Sequence, residues 1–335
     1  MNFLSFFASA FSSPLSAMVV LATLGVLFVN GWTDAPNAIA AGVSTRAFTL
    51  RQGILLATLM NILGAASTLL LGQKVAETIF DLGRFPKGAS GSFALAAAMI
   101  SVILWAILAW RFGIPTSESH ALMAGLMGAA LALGAGGVSL TALFRVLLGM
   151  VLSSSAGILG GWILLKFFLH LPLKGPVWRG GQILSALLMA FAHGLQDAPK
   201  FASILVLGAT LWGNSDGFSL PLWMLLLAGL FMGLGTLLGG GRIIKKVGSE
   251  MVSIGPREGF AADLAGTLAL IFSTLQGMPV STTHVKTCAL MGAAMGKGED
   301  HIDSRIALSM GAAWLLTFPA CGLLGFLLTK FFLFL

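Results

Sequence analysis

Six long apolar runs set the strongest limit on what this chain can fold into. They cover residues 18–30, 53–71, 93–110, 138–168, 220–238 and 306–328. A membrane-spanning helix needs about 20 consecutive apolar residues, so some runs can cross a bilayer completely and others only in part. Only 9% of the residues are charged, whereas soluble domains carry about 25% charged residues. The sequence therefore predicts an all-α membrane protein that crosses the bilayer several times.

The chain contains two copies of one unit. NGWTDAPNAIA at 30–40 aligns with HGLQDAPKFAS at 193–203, and GIPTSESH at 113–120 aligns with GMPVSTTH at 277–284. The offsets, 163 (193 − 30) and 164 (277 − 113), are nearly equal, and the motifs keep their order. This self-similarity indicates a duplication, with transmembrane repeats at 1–172 and 173–335. Duplicated membrane proteins are typically transporters or channels, and transporters bind substrate at the repeat interface, on broken helices.

Asp34 and Asp197 occupy equivalent positions in the two copies. Each is followed by Ala-Pro, and proline disfavours helix at the residue before it. We therefore expect each Asp at a helix break, close to a new helix N-terminus. Such a carboxylate can cap the new helix or bind a cation together with freed carbonyl groups. A charged residue at membrane depth costs about 2.5–3.5 kcal/mol, so two at equivalent positions indicate a functional site.

Each octapeptide opens with Gly, carries Pro and hydroxyl side chains, and leads into a short helix rich in Gly and Ala. The pattern predicts a helix start, and a short helix that begins inside the membrane is typical of a re-entrant hairpin. Its N-terminus offers free N–H groups and the positive end of the helix dipole, which suit a tetrahedral oxyanion. Alternatively, the hydroxyls only cap the helix. The candidate hydroxyls are those of Ser117, Ser119, Ser281, Thr282 and Thr283.

Four further polar residues recur at equivalent positions. His120 and His284 follow the hydroxyls directly, and we expect them to brace the hairpins, with substrate contact or a proton relay as alternatives. Asn37 and Lys200 follow the prolines of the two Asp motifs. Asn37 can contact a substrate or a cation, whereas Lys200 can neutralise Asp197 or attract an anion.

The formal net charge of +7 is concentrated in short connections. The positive-inside rule explains this as membrane topology, and attraction of an anionic substrate is the second explanation. Nucleic acid is not an expected partner. The basic clusters are Lys166, Lys174 and Arg179, followed by Arg242, Lys245, Lys246 and Arg257.

As a set, these motifs resemble the inorganic phosphate transporter family, also called the PiT or PHO-4 family. Its members carry a duplicated GANDVAN-like signature and a duplicated PxSxTH-like hairpin. Here the signatures read GWTDAPN (31–37) and GLQDAPK (194–200), and the hairpins read PTSESH (115–120) and PVSTTH (279–284). The segment 240–269 is similar to the second half of the family as well, so the resemblance covers most of the chain.

The resemblance implies symport of phosphate with a cation, which is sodium in some members and a proton in others. It implies inverted repeats that bring both Asp motifs and both hairpins around one anion. Motifs and resemblance together give as substrate-binding candidates Ser117, Ser119, Ser281, Thr282, Thr283, Asn37 and Lys200. The candidates for cation or proton coupling are Asp34, Asp197, Glu118, Thr33 and Gln196, with the two Asp residues as candidate sodium ligands. His120 and His284 are assigned to hairpin support.

Three of these residues depart from the family pattern. Thr33 and Gln196 stand where the family usually has Asn, and Glu118 replaces a small residue in the first hairpin only. An ionised Glu118 would repel phosphate, so we expect it to be protonated, to face a cation or basic partner, or to turn away from the site. Our hypothesis is that Glu118 titrates during coupling.

The alternatives are a sulfate permease of the same family, an intramembrane Ser/His hydrolase and a passive anion channel. Hydrogen phosphate donates as well as accepts hydrogen bonds, which suits a partner carboxylate better than sulfate does. A hydrolase needs nucleophile, base and oxyanion donors to converge, and neighbouring residues at a helix start rarely do. We therefore expect a non-enzyme in the plasma (cell inner) membrane, without a cofactor besides the coupling ion. The expected partners are phosphate, sodium or protons, lipid and, as one option, a second copy of the chain.

Overall fold

The computed structural model describes residues 2–71, 73–112, 116–134, 139–239, 244, 254–298 and 302–335. Positions 113–115 of the first octapeptide lie outside the described residues. The same is true of most of the segment 240–253, including the basic residues Arg242, Lys245 and Lys246.

Helices dominate the described part of the chain, which confirms the all-α prediction. They are α1 (Phe3–Ala10), α2 (Pro14–Thr33), a 3-10 helix (Ala35–Ile39), α3 (Ala40–Ser44), α4 (Leu50–Leu71), α5 (Lys74–Leu82), α6 (Ala89–Arg111), α7 (Glu118–Leu133), α8 (Leu140–Leu169), α9 (Gly175–Leu211), α10 (Leu222–Leu238), α11 (Pro256–Leu275), α12 (Thr282–Lys297) and α13 (Ser304–Phe334).

Six helical stretches among the described residues are long and apolar enough to cross a membrane. They are Pro14–Ser44, Leu50–Leu71, Ala89–Arg111, Leu140–Leu169, Pro256–Leu275 and Ala307–Phe334. Large apolar side chains cover the outside, for example Leu70, Leu140 and Leu315, which are 88%, 78% and 78% exposed. An apolar exterior of this extent suits lipid and not water. The chain is a multi-pass membrane protein.

The helices of the first half recur in the second. α7 and α12 begin 164 positions apart (282 − 118), and so do α8 and α13 (304 − 140). α7 packs against the preceding α6, and α12 packs against α11, so each pair forms a helical hairpin, and the second octapeptide lies at the turn between α11 and α12. The boundary predicted between 172 and 173 falls in the connection between α8 and α9.

The two halves exchange their packing partners. α7 of the first half packs against α13 of the second, and α12 of the second half packs against α8 of the first. Both contacts pass through a hairpin glycine: Gly128 lies against the Gly322 carbonyl group, and Gly292 against the Ile158 carbonyl group. Small residues allow membrane helices to approach this closely. As a result, both hairpin starts lie in the middle of the molecule.

The predicted helix break is present in the first repeat only. α2 ends at Asp34, and the chain continues through the 3-10 helix that contains Pro36. In the second repeat the structure differs from the prediction, because α9 runs without interruption through Asp197 and Pro199. Proline removes one backbone hydrogen bond, and neighbouring helices in a membrane protein can compensate for it. α9 is buried continuously from 192 to 211, so its neighbours hold it in the helical form.

Candidate functional site

The two signature aspartates meet at one buried point. Asp34 lies at the end of α2 and Asp197 inside α9, and neither has any exposed surface. The hydroxyl oxygen of Thr282 lies 3.4 Å from Asp34 Oδ2 and 3.3 Å from Asp197 Oδ2. One hydroxyl at the start of a hairpin helix therefore bridges carboxyl groups from both repeats, as expected for a site at the repeat interface.

On the first-repeat side, an amide and a hydroxyl surround Asp34. Asn37 Nδ2 donates to the Thr283 hydroxyl oxygen at 2.8 Å and lies 3.3 Å from Asp34 Oδ1. The Thr283 hydroxyl donates to the same carboxylate oxygen of Asp34. Asn37 Oδ1 is buried and accepts no hydrogen bond from the described residues. Buried polar atoms are nearly always paired, so this oxygen is an acceptor available to a bound ligand.

On the second-repeat side, the equivalent place is taken by an ammonium group. Lys200 Nζ lies 2.7 Å from Asp197 Oδ1, 2.7 Å from the Ser119 hydroxyl oxygen and 2.5 Å from the Val280 carbonyl oxygen. A lysine ammonium has three N–H donors, and these three oxygens use all of them. The arrangement mirrors the first repeat, because Lys200 corresponds to Asn37 and Ser119 to Thr283.

Thr33 and Gln196, which precede the two aspartates, form hydrogen bonds with different parts of the protein. The Thr33 hydroxyl contacts the carboxyl group of Glu118, which is 1% exposed. Glu118 thus faces the signature motif and does not turn away from it. Gln196 Nε2 donates to the Met278 carbonyl oxygen at 2.9 Å, and Gln196 Oε1 accepts from the Thr274 hydroxyl at 2.9 Å.

The first hydroxyl of each octapeptide is a helix cap. Ser117 Oγ accepts from the His120 backbone N–H at 3.2 Å, and Ser281 Oγ accepts from the His284 backbone N–H, also at 3.2 Å. This is the capping role that the sequence left open. It accounts for the residue pattern, and because both hydroxyl oxygens act as acceptors in these bonds, their O–H groups can still donate to a substrate.

The rings of the two histidines pack edge to face. Their ring centroids are 4.1 Å apart, and the His284 ring also lies over Trp314 at 3.7 Å. Neither ring nitrogen of His120 has a hydrogen-bond partner among the described residues, so His120 forms no hydrogen-bonded pair with a described serine. These ring contacts suit hairpin support, which stays a prediction.

Three residues of the site were not among the sequence candidates. Asn30 Nδ2 donates to Asp197 Oδ2 at 3.2 Å, and thus reaches across from the first repeat. His193 lies 3.3 Å from the same oxygen, and its Nδ1 is 2.8 Å from Asn61 Oδ1. Asn30 and His193 align in the repeats, which was a usable signal. Asn61 has no equivalent in the repeated motifs, and its place as a single amide in an apolar run was the only sequence signal.

The donor set can hold a small hard cation. One ligand atom each from Asp34, His193 and Asp197 lies within 4.8 Å of the others. Carboxylate and carbonyl oxygens at a helix break are what transporters use for sodium. The site is also sealed, since every predicted site residue is buried, the most exposed being Thr33 and His284 at 6%.

The chain is similar to known phosphate transporters over most of its length. The sequence profile of a family described as "Phosphate transporter family" matches twice, at residues 30–177 and 172–325. A probable low-affinity inorganic phosphate transporter of Bacillus subtilis (strain 168) is 31% identical over 320 residues, covering 93% of this chain and 95% of the relative. A protein of the same description from Rhizobium meliloti (strain 1021) is 32% identical over 319 residues, covering 93% and 94%.

A solved structure has the same fold. It is described as "The sodium-dependent phosphate transporter", and it superposes with a TM-score of 0.85 over 96% of this chain and 100% of that one. The two sequences are 20% identical, so this similarity extends to the fold and no further.

Proposed function

Because the chain belongs to the phosphate transporter family, we propose that it imports inorganic phosphate across the plasma membrane together with a cation, sodium or a proton. The observation that carries the proposal is the meeting of both signature aspartates at Thr282, on the first turn of a hairpin helix. In transporters built from repeats, substrate and coupling ion bind together at the repeat interface, and this meeting point lies there.

The charges in the site support coupling to a cation. Three buried carboxyl groups, those of Asp34, Asp197 and Glu118, share the site with one ammonium group, that of Lys200. Phosphate brings further negative charge, and an uncompensated buried charge is costly. Positive charge must therefore enter with phosphate, either as protons on carboxyl groups or as sodium among their oxygens.

The same hydroxyls link the cation to the anion. Thr282 and Thr283 contact the carboxyl groups, although hydroxyls at a helix N-terminus also suit phosphate oxygens. We expect a cation to take over the oxygens of Asp34, which releases these hydroxyls to donate to phosphate. Binding of the cation would then prepare the phosphate site, which is a direct basis for symport.

Transport by purified protein in proteoliposomes tests this function. We expect labelled phosphate to accumulate above its equilibrium level under an inward sodium or proton gradient, and to leave again when an ionophore collapses that gradient. Protein-free liposomes are the control. Accumulation driven by only one of the two gradients identifies the coupling ion.

Three outcomes would count against the proposal. Uptake that is independent of any gradient would indicate a channel. Accumulation of labelled sulfate in preference to phosphate would indicate a sulfate permease. No uptake of either anion, by a protein that is monodisperse and correctly inserted, would remove the transport function altogether.

Glu118→Gln is expected to change the pH dependence or the sodium dependence of phosphate uptake. Glutamine keeps the shape and can still accept from Thr33, but it cannot bind a proton or hold a cation by charge. Initial rates measured across pH and sodium concentration test this, with the exposed Glu77→Gln as the matched control. If both dependences match those of the wild-type protein, Glu118 serves the structure and not the coupling.

A further inference from the structure

Lys200 breaks the symmetry of the site in a way that the transport function alone does not explain. Its ammonium group has no exposed surface and lies among three oxygens, one each from a carboxylate, a hydroxyl and a backbone carbonyl group. This mixture of hard oxygen ligands at a hairpin start is the environment that transporters offer to a coupling cation. An ammonium group is a compact positive charge that can occupy such a place.

The first repeat shows what the same place looks like without the lysine. Asn37 occupies the equivalent position, and its Oδ1 is buried without a partner among the described residues. The amide nitrogen of Asn37 takes the place of the ammonium group, because it lies 3.3 Å from Asp34 Oδ1 and 2.8 Å from the Thr283 hydroxyl oxygen. The first repeat thus has a neutral amide group, with one unpaired oxygen, where the second has a fixed positive charge.

We propose that the Lys200 ammonium group permanently occupies, in the second repeat, the place that an exchangeable sodium-sized cation would otherwise take. The coupling cation then binds only on the Asp34 side. This inference rests on the proposed cation-coupled transport. Because the ammonium group is tethered, it returns with the empty carrier and contributes nothing to the net charge that is moved.

Two other roles for Lys200 fit the geometry less well. A phosphate ligand needs a free donor, and all three N–H donors already face protein oxygens. A purely structural role is weak as well, because a buried ion pair can often be replaced by apolar residues without loss of stability. Neither role explains why the surrounding oxygens match those of the first repeat.

Lys200→Asn tests the proposal, because it gives the second repeat the residue of the first. We expect the number of positive charges moved per phosphate to rise by one relative to wild type. At each of several imposed voltages, we would find the cation gradient at which net phosphate flux in proteoliposomes is zero. The shift of this gradient with voltage gives the number of charges moved per phosphate. Lys174→Asn, at an exposed position, should keep the wild-type ratio. An unchanged ratio in Lys200→Asn would overturn the inference.

A binding measurement keeps the test decisive if Lys200→Asn does not transport. In an Asp34→Asn background, sodium should no longer raise the melting temperature of the purified protein at constant ionic strength, with choline as the replacement. Adding Lys200→Asn should restore a sodium-dependent rise, because ligand binding stabilises the folded state. No rise contradicts the inference. Failure of the wild-type protein to take up phosphate counts instead against the proposed function.

Discussion

Asp34→Asn is expected to abolish cation-driven phosphate accumulation, and Asp197→Asn is expected to do the same. Asp34 supplies the negative charge that a coupling cation would meet in the first repeat, and Asp197 balances the Lys200 ammonium group. Removing Asp197 as one partner of that buried charge pair costs about 3–5 kcal/mol of stability. Accumulation of labelled phosphate in proteoliposomes, under the gradient that drives the wild-type protein, gives the readout.

Asparagine is nearly the same size as aspartate, so both variants should still insert and purify. Asp81→Asn, at an exposed position on α5, controls for general effects of removing a carboxylate. The two variants should also differ in which property they lose. Asp34→Asn should lose cation dependence, whereas Asp197→Asn leaves a buried ammonium group with one fewer acceptor and should lose stability too. Normal accumulation in either variant would remove the two-carboxylate mechanism.

Periodicity and repetition predicted the helical fold for a simple physical reason. A lipid solvent demands apolar runs of fixed length, and these can be read directly from the sequence. α11 was missed as a run, because its mean hydropathy is 1.2, whereas the other candidate spans reach 1.8–2.3. Its polar side chains, such as Asp263 and Thr267, are buried inside the protein, so they do not need to match the lipid.

The site residues were predictable as types, but their pairing was not. The duplicated motifs made both aspartates and five of the six octapeptide hydroxyls candidates, all except Thr116. Nothing in the spacing indicated that Thr282 would bridge the two repeats or that Ser117 and Ser281 would serve as caps. Those contacts depend on the exchange of helices between the halves, which is a property of tertiary packing. Tertiary packing also explains why α9 is unbroken, because contacts with neighbouring helices outweigh the tendency of Pro199 to interrupt a helix.

The exchanged packing predicts a large loss of stability at two glycines. A Cβ atom added at Gly128 would lie 1.9 Å from the Gly322 carbonyl oxygen, and one added at Gly292 would lie 2.0 Å from the Ile158 carbonyl oxygen. The obstacle in both cases is backbone, which cannot rotate aside as a side chain can. Overpacking of this kind costs about 1–3 kcal/mol and occasionally more. Valine has a slightly better helix propensity than glycine, by a few tenths of a kcal/mol, which is too little to compensate.

Gly128→Val and Gly292→Val should therefore each lower the melting temperature in detergent. A cost of about 3 kcal/mol corresponds to roughly 6–12 °C at the 2–4 °C per kcal/mol typical of larger domains. Gly311→Val is the matched control, since it lies in α13 and an added Cβ meets no atom within 4 Å. Because the two contacts are equivalent, both variants should lose stability to a similar degree. If one of them is as stable as Gly311→Val, the hairpins do not pack reciprocally, and the shared position of Asp34 and Asp197 at Thr282 loses its structural basis.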